Sequence, residues 1–243
     1  ALPICITTSI KSFAEMIFLN NRTWHIKLDQ SIIQAKNVIL AIGAEPKLLP
    51  FPSLSVIPLN IGMDSTQIPK YIDHNDTIGV FGSSHSAVLV LRNLVENKVK
   101  NIINFYRSPL QYAVYLDNWI LFDDTGLKGP TADWAREYLD GNLPDNLIRV
   151  YSNDENIQHH LPKCNKIIYA IGFERRLNPV IQDIGHFKYI EQCGIIAPGL
   201  FGVGIAFPEA KYNPVGLLEY RVGLWKFMDY LNNIMPMWLR YHI

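Results

Sequence analysis

The chain has 243 residues, 49% of them hydrophobic and 18% charged, which is enough to bury a sizeable core and more than one minimal domain needs. Its 22 basic and 22 acidic side chains balance to a formal net charge of +0, so there is no net field to draw in nucleic acid or an anionic membrane, and a small bound molecule is the expected partner. No apolar run reaches the roughly 18 residues of a membrane span, no signal-like leader is seen, and Cys5, Cys164 and Cys193 make no C-x-x-C pattern. Neither a disulfide scaffold nor a zinc site is therefore expected, and the cytoplasm is the expected compartment.

From Ile4 to Val38, the β-rich runs SFAEMIFLNN, TWHIKLD and SIIQAKNVILAIG are separated by Asn-Asn and Asp-Gln turn signals. They predict a small antiparallel meander feeding a buried strand. Between Glu45 and Lys70, Pro46, Pro50, Pro52, Pro58 and Pro69 restrict the backbone and remove ladder donors, so this stretch reads as a linker between domains. A βαβ pattern follows, with strand TIGVFG, helix SAVLVLRNLVEN and strand NIINFYRS. Pro109 to Asn146 reads as an irregular aromatic and acidic insertion carrying one helix, TADWAREYL; its Tyr112, Tyr115, Trp119 and Phe122 are either core or a cover over a ligand. Strands NLIRVYS and KIIYAIG bring the chain back. A last helix is predicted from Asn213, with Pro214 in its first turn and Leu217, Leu218, Arg221, Leu224, Trp225, Met228 and Leu231 at spacings of three and four.

The βαβ unit carries Gly82-Ser83-Ser84-His85-Ser86-Ala87 between strand and helix, matching G-x-G-x-x-G/A at Gly82, Ser84 and Ala87. Gly82 lets the strand turn sharply, Ala87 lets the helix pack on the sheet, and the free amides of the helix start face an anion such as pyrophosphate. Ser84 adds a hydroxymethyl group where a glycine lets the backbone closest to the phosphate; a serine-rich helix cap is the plainer reading. His85 is either an imidazolium beside the anion or an exposed cap residue. The second strand ends at Arg107, where an NAD-specific site would carry an acidic residue for the ribose, and a guanidinium there suits the 2′-phosphate of NADPH. His159 and His160 are adjacent, so on a strand they would form no common ligand face, and a solvated loop is expected.

Ala41-Ile42-Gly43 recurs as Ala170-Ile171-Gly172, each ending a strand, as two equivalent crossing points between domains would. In order, KNVILAIGAEP, IGVFGSSHSAVLVL, KIIYAIGFERR and GLFGVGIAFPE resemble four landmarks of the FAD-dependent pyridine nucleotide oxidoreductases, including their disulfide-reductase-like and N-hydroxylating monooxygenase branches. The resemblance runs from about Val38 to Gly223. It implies an α/β fold in which a Rossmann-like NAD(P)H domain, residues 73–171, is inserted in an N-terminally incomplete FAD-binding domain. That domain would comprise residues 1–72, with the β-meander and linker, and residues 172–243.

By the same resemblance, Ala41, Ile42 and Gly43 lie near FAD, Gly82 to Ala87 and Arg107 hold NADPH, and Gly172 closes the second crossing. Gly202, Gly204 and Ile205 border the ribityl and phosphate groups, and the helix from Asn213 points its N-terminus at the isoalloxazine edge. The implied activity is hydride transfer from NADPH to the flavin N5 and on to a small-molecule electron acceptor, whether oxygen, a disulfide, a quinone or an amine-bearing substrate. Fold alone does not choose among them. Ile42 and Ile171 replace the threonines usual at the two crossings, and Ala206 replaces an aspartate common in the disulfide-reductase branch. The family's first G-x-G-x-x-G is not among these 243 residues and is expected upstream of Ala1 in a longer product. The alternative is a non-catalytic nucleotide-fold module that has lost FAD binding.

Overall fold

A computed structural model of the chain describes residues 8–51, 54–182 and 188–241; Cys5 and Pro52 lie outside these. The chain divides into two compact units, residues 1–44 with 175–243 and residues 45–174. The crossing segments Ala44–Pro46 and Phe173–Arg175 pair with each other as a two-stranded ladder.

Residues 45–174 are built on a parallel sheet in which Leu147–Tyr151, Asn101–Tyr106, Thr77–Phe81, Lys166–Tyr169 and Ser55–Val56 lie side by side in that order. Without the short edge strand, the order is third, second, first, fourth, which is the Rossmann arrangement. Parallel strands covered on both faces are apolar along their length, and the run Ile78, Val80, Phe81 with Ile102, Ile103, Phe105 and Ile167, Ile168 is buried throughout. The helix His85–Glu96 lays Ala87, Val88, Val90, Leu91 and Leu94 on one face of the sheet. The other face is covered by an aromatic cluster in which Phe81 and Phe105 stack at 4.5 Å.

The stretch predicted to be a linker is largely part of this unit. Pro58 precedes the helix Leu59–Met63 and Pro69 opens the 3-10 turn Ile68–Lys70, so two of its prolines start helical turns rather than forbid structure. Ile57, Leu59 and Ile68 are buried in the core, each side chain contributing about 1.5–3 kcal/mol on burial. The insertion 109–146 carries the expected helix, Gly129–Trp134, which continues as a π-helical turn Ala135–Leu139, and adds a hairpin of Val114–Tyr115 with Ile120–Leu121. Of its singled-out aromatics, Tyr115 is exposed, Trp119 and Phe122 are half-buried, and Tyr112 is half-buried against the core, with its hydroxyl donating to Asp140 at 2.6 Å. His159 and His160 end a helix, Asp154–His160, rather than lying in a loop; Asn153 caps it by accepting from the Asn156 N–H at 2.9 Å.

In the other unit the predicted meander is present as Ala14–Asn20, Thr23–Leu28 and Ile32–Ala35, with Val180–Gln182 added in parallel to the first strand. Asn21 and Arg22, at φ 49° and 60°, make the two-residue turn whose twist suits a hairpin. The run expected to feed one buried strand breaks in two, because Val38–Leu40 leaves the meander and pairs in parallel with Leu200–Gly202 in a second sheet. Trp24, fully buried between these layers, donates from Nε1 to the Pro198 carbonyl at 2.9 Å.

The C-terminal helix begins at Leu224, not at Asn213. Asn213 instead closes a hairpin of Glu209–Tyr212 with Leu218–Arg221: its Oδ1 accepts from the N–H groups of Val215 and Leu217, and Gly216 turns at φ 81°. The buried helix stripe is accordingly Tyr230, Leu231, Ile234, Met235 and Trp238, while Leu224 and Trp225 are exposed.

Candidate functional site

In a parallel sheet whose strand order reverses, the crevice forms at the carboxyl ends of the strands flanking the reversal. Here those are Thr77–Phe81, which leads to its neighbour Asn101–Tyr106 on one side, and Lys166–Tyr169 on the other. A cleft of about 710 Å3 opens at these ends, and Gly82, Ser83, Ser84, Arg107, Ile171 and Gly172 all line it. Six residues singled out in the sequence thus share one cleft: Gly82, Ser83, Ser84, Arg107, Ile171 and Gly172. His85 and Ser86 open the helix beside its lining, and Ala87 is fully buried under the turn.

The backbone explains the glycine. Gly82 sits at φ 125°, and a Cβ there would lie 2.3 Å from the Ala170 carbonyl oxygen and 3.2 Å from the Ala87 methyl. Its N–H donates to the Phe105 carbonyl at 2.9 Å. The turn is therefore pinned between two neighbouring strands, and no other residue fits it. Ser84 takes the N-cap position in extended conformation, yet its side chain caps no backbone N–H. The serine-cap reading is not met, and the first amides of the helix remain open to a ligand.

Arg107 is exposed at the cleft edge and has no ion pair or hydrogen bond among the described residues. Lys47 reaches the same cleft, with its backbone N–H donating to the Gly172 carbonyl at 2.9 Å. Phe51, Phe81 and Phe105 form the apolar wall, with Phe51 and Phe81 centred 5.8 Å apart. Of its two readings, His85 is the exposed residue of the helix's first turn, and desolvation, then the Lys128 ammonium, lower its pKa below the ordinary histidine value and so disfavour an imidazolium there.

The sequence reading missed Asn104. It stands in the middle of an apolar strand run, fully buried, with Nδ2 donating to the Val80 carbonyl at 3.1 Å and to the Gly82 carbonyl at 2.8 Å, and Oδ1 accepting from Arg149 Nε at 3.1 Å. An asparagine between Ile103 and Phe105 was the available signal, since a buried amide must be satisfied.

The remaining predicted residues lie in the other unit. Val38–Leu40 and Leu200–Gly202 are adjacent parallel strands, so Ala41, Ile42 and Gly43 leave one carboxyl end beside Gly202, Gly204 and Ile205 at the other. The Val203 N–H donates to the Leu40 carbonyl at 3.0 Å, tying the two ends together. Gly202 is required by packing, because a Cβ would meet the Phe207 ring at 2.3 Å; Gly204, at φ 85°, opens onto free space. Ala206, where an aspartate was noted as common, presents only its carbonyl, which accepts from Arg175 Nε at 2.8 Å while the guanidinium stacks 3.9 Å from the Phe207 ring centre. The helix start that would have faced a flavin from Asn213 is not there, since Asn213 is in the hairpin loop. Cys164 is buried and Cys193 half-buried, both free. Among the described residues, no group of side chains is placed to hold a metal, and no helix is long and apolar enough to cross a membrane.

No family model matches the chain. Its sequence is 36% identical over 245 residues to the monooxygenase AgnR1 of Paecilomyces divaricatus, a match covering 87% of this chain and 62% of that protein. The fold is similar to that of the Kutzneria sp. 744 ornithine N-hydroxylase, solved with reduced FAD, NADP+ and L-ornithine, at TM-score 0.60 and 11% identity, over 93% of this chain and 71% of that one. It is also similar to Lactococcus lactis thioredoxin reductase, at TM-score 0.58 and 14% identity over 95% and 74% of the two chains. The flavin-containing monooxygenase of Stenotrophomonas maltophilia matches at TM-score 0.57 and 12% identity over 95% and 70%. The chain therefore has the two-dinucleotide-binding-domain flavoprotein fold, the fold of the family that its motifs resemble.

Proposed function

We propose that this chain is the greater part of an NADPH-dependent flavoprotein oxidoreductase of the monooxygenase type, using FAD. The observation that carries the reading is the Gly82 turn at the sheet's reversal point, with uncapped helix amides on one side and the unpaired Arg107 on the other. These groups suit a dinucleotide: backbone donors and helix dipole for the pyrophosphate, a forked guanidinium for a 2′-phosphate, and no carboxylate at the end of Asn101–Tyr106 to favour a free ribose hydroxyl. When bound, NADPH supplies a hydride that FAD accepts, and the chemistry belongs to the two cofactors.

The chain's own residues bind and orient. The Gly82 turn brings backbone N–H groups close to the pyrophosphate, Arg107 and Lys47 supply positive charge, and the Phe51, Phe81 and Phe105 wall keeps water from one side of the cleft. In the other unit, Gly43 and Gly204 leave positive-φ openings at adjoining strand ends, where a Cβ-free backbone suits the approach of the flavin cofactor's phosphate or ribityl chain. The sequence match to a monooxygenase supports oxygen as the acceptor, with a small organic molecule as the substrate.

The test is a visible absorption spectrum of the full-length protein, followed by anaerobic titration with NADPH and with NADH. The expected result is a flavin spectrum that bleaches faster with NADPH, and NADPH-dependent oxygen uptake afterwards. A colourless protein that takes up no added FAD would remove the enzyme reading and leave the nucleotide-fold binding module.

A further inference from the structure

Beneath the Gly82 turn lies a chain of polar groups that packing does not require. Arg149, on Leu147–Tyr151, is directly across the ladder from Asn104 on Asn101–Tyr106, so the two side chains stand on the same face. Arg149 Nε donates to Asn104 Oδ1 at 3.1 Å, which fixes the amide with its Nδ2 end toward Val80 and Gly82. The guanidinium is half-buried, 4.8 Å from the Tyr106 ring centre, and has no carboxylate within ion-pair distance among the described residues. Burial holds the guanidinium below its ordinary pKa, and the Tyr106 ring and the Asp140 carboxylate, beyond ion-pair distance, offset part of that cost.

The direction of the chain gives it a use. In a trans peptide the C=O and the following N–H point opposite ways. Because Asn104 draws the Gly82 carbonyl down toward the sheet, the Ser83 N–H is turned up toward the cleft that Ser83 lines, and it has no acceptor among the described residues. The three groups are then linked head to tail: guanidinium to side-chain amide, side-chain amide to peptide, peptide N–H to the cleft. Hydrogen bonds in such a series polarise one another in a low-dielectric setting.

We propose that Arg149 and Asn104 are positioning residues for a pyrophosphate, an amide relay that aims the Ser83 N–H into the cleft and strengthens it as a donor. The proposal rests on the reading of this cleft as the NADPH site. Arg149 reaches no ligand itself; it acts through Asn104 and Gly82.

The relay acts on a pyrophosphate and not on a 2′-phosphate, which gives the test its contrast. Dissociation constants of NADPH and of 2′-AMP, a probe with no pyrophosphate, are measured for the full-length wild type and for Arg149→Met. The expected result is about a tenfold loss of NADPH affinity, with 2′-AMP affinity unchanged within twofold. A general loosening of the unit would weaken both ligands together, and that result, or an unchanged NADPH constant, overturns the relay. Should Arg149→Met fail to fold, Arg149→Gln carries the same comparison with a neutral polar side chain of smaller disturbance. Wild-type protein that binds neither ligand refutes the nucleotide reading itself, and the relay with it.

Discussion

Gly82 and Gly172 line the same cleft and both have positive φ, 125° and 97°, but they differ in what surrounds them. At Gly172 a Cβ would meet nothing within 4 Å, so Gly172→Ala pays only the strain of an L-residue in that backbone region, about 1–2 kcal/mol. At Gly82 the same methyl would lie 2.3 Å from the Ala170 carbonyl oxygen, more than an ångström inside the ~3.5 Å of an ordinary contact. The neighbour is backbone, held by the Ala170 N–H bond to the Phe81 carbonyl at 2.8 Å, and cannot swing away as a side chain would. The clash adds to the strain, and Gly82→Ala is expected to cost about 3 kcal/mol or more. For a chain of this size that is a fall in melting temperature of about 6–12 °C, against about 2–8 °C for Gly172→Ala. Thermal denaturation of both variants without ligand, followed by NADPH titration at a temperature where both are folded, separates the contributions. Equal melting shifts, or Gly82→Ala binding NADPH as the wild type does, would show that this turn is not the constrained phosphate loop described above.

Arg107→Gln is expected to raise the NADPH dissociation constant about 10- to 100-fold and leave NADH within twofold, since only the 2′-phosphate loses its charged partner; paired titrations measure it. Asp76 is nearly buried: burial opposes its charge, but bonds from the Asp73 N–H at 2.6 Å, Lys166 at 2.7 Å and Asn165 at 2.7 Å outweigh that and hold its carboxyl below the usual 3.8. Its contribution is therefore present above about pH 4 and lost as pH falls through the lower folded value. Asp76→Ala should cost about 3 kcal/mol in urea unfolding at pH 7, with the gap to wild type narrowing at the acid end; a gap independent of pH would contradict the assignment. Burial pushes the Cys164 thiol up to about 11, so about one molecule in a thousand carries the thiolate at pH 8. Alkylation at Cys164, read by peptide mass spectrometry, should be at least 100-fold slower in native than in urea-unfolded protein.

The βαβ core was legible because its signals are local. The apolar period changes from continuous strand to helical stripe across Gly82, and no distant residue is needed to see it. The C-terminal helix was misplaced because Leu217, Leu218 and Arg221 fit a helical period that continues into the true helix. The competing signal was Asn213-Pro214 with Gly216, whose turn chemistry wins once the Asn213 side chain accepts from the backbone. Pro58 and Pro69 have the look of breakers in sequence, whereas position decides their effect, and at a helix start they cost nothing. In the candidate site, Gly82 to Ala87 and Arg107 could be found from motif and spacing. That Gly172 stands across from Gly82 depends on the parallel pairing of Lys166–Tyr169 with Thr77–Phe81, and that Asn104 meets Arg149 depends on register across the insertion. Neither pairing is written in a local pattern.

The division of the chain also sets an order of assembly during synthesis. Residues 45–174 are continuous, so every strand of their sheet has left the ribosome before the chain crosses back at Phe173–Arg175. Val38–Leu40, made much earlier, has Leu200–Gly202 as its ladder partner, and the outer edge of Ala14–Asn20 waits for Val180–Gln182. Residues 45–174 can thus complete their core while two strand edges upstream of them stand open. In that interval those edges are templates for any passing strand. Slow translation or a chaperone hold at this stage should matter more to the yield of native protein than the stability of either finished unit.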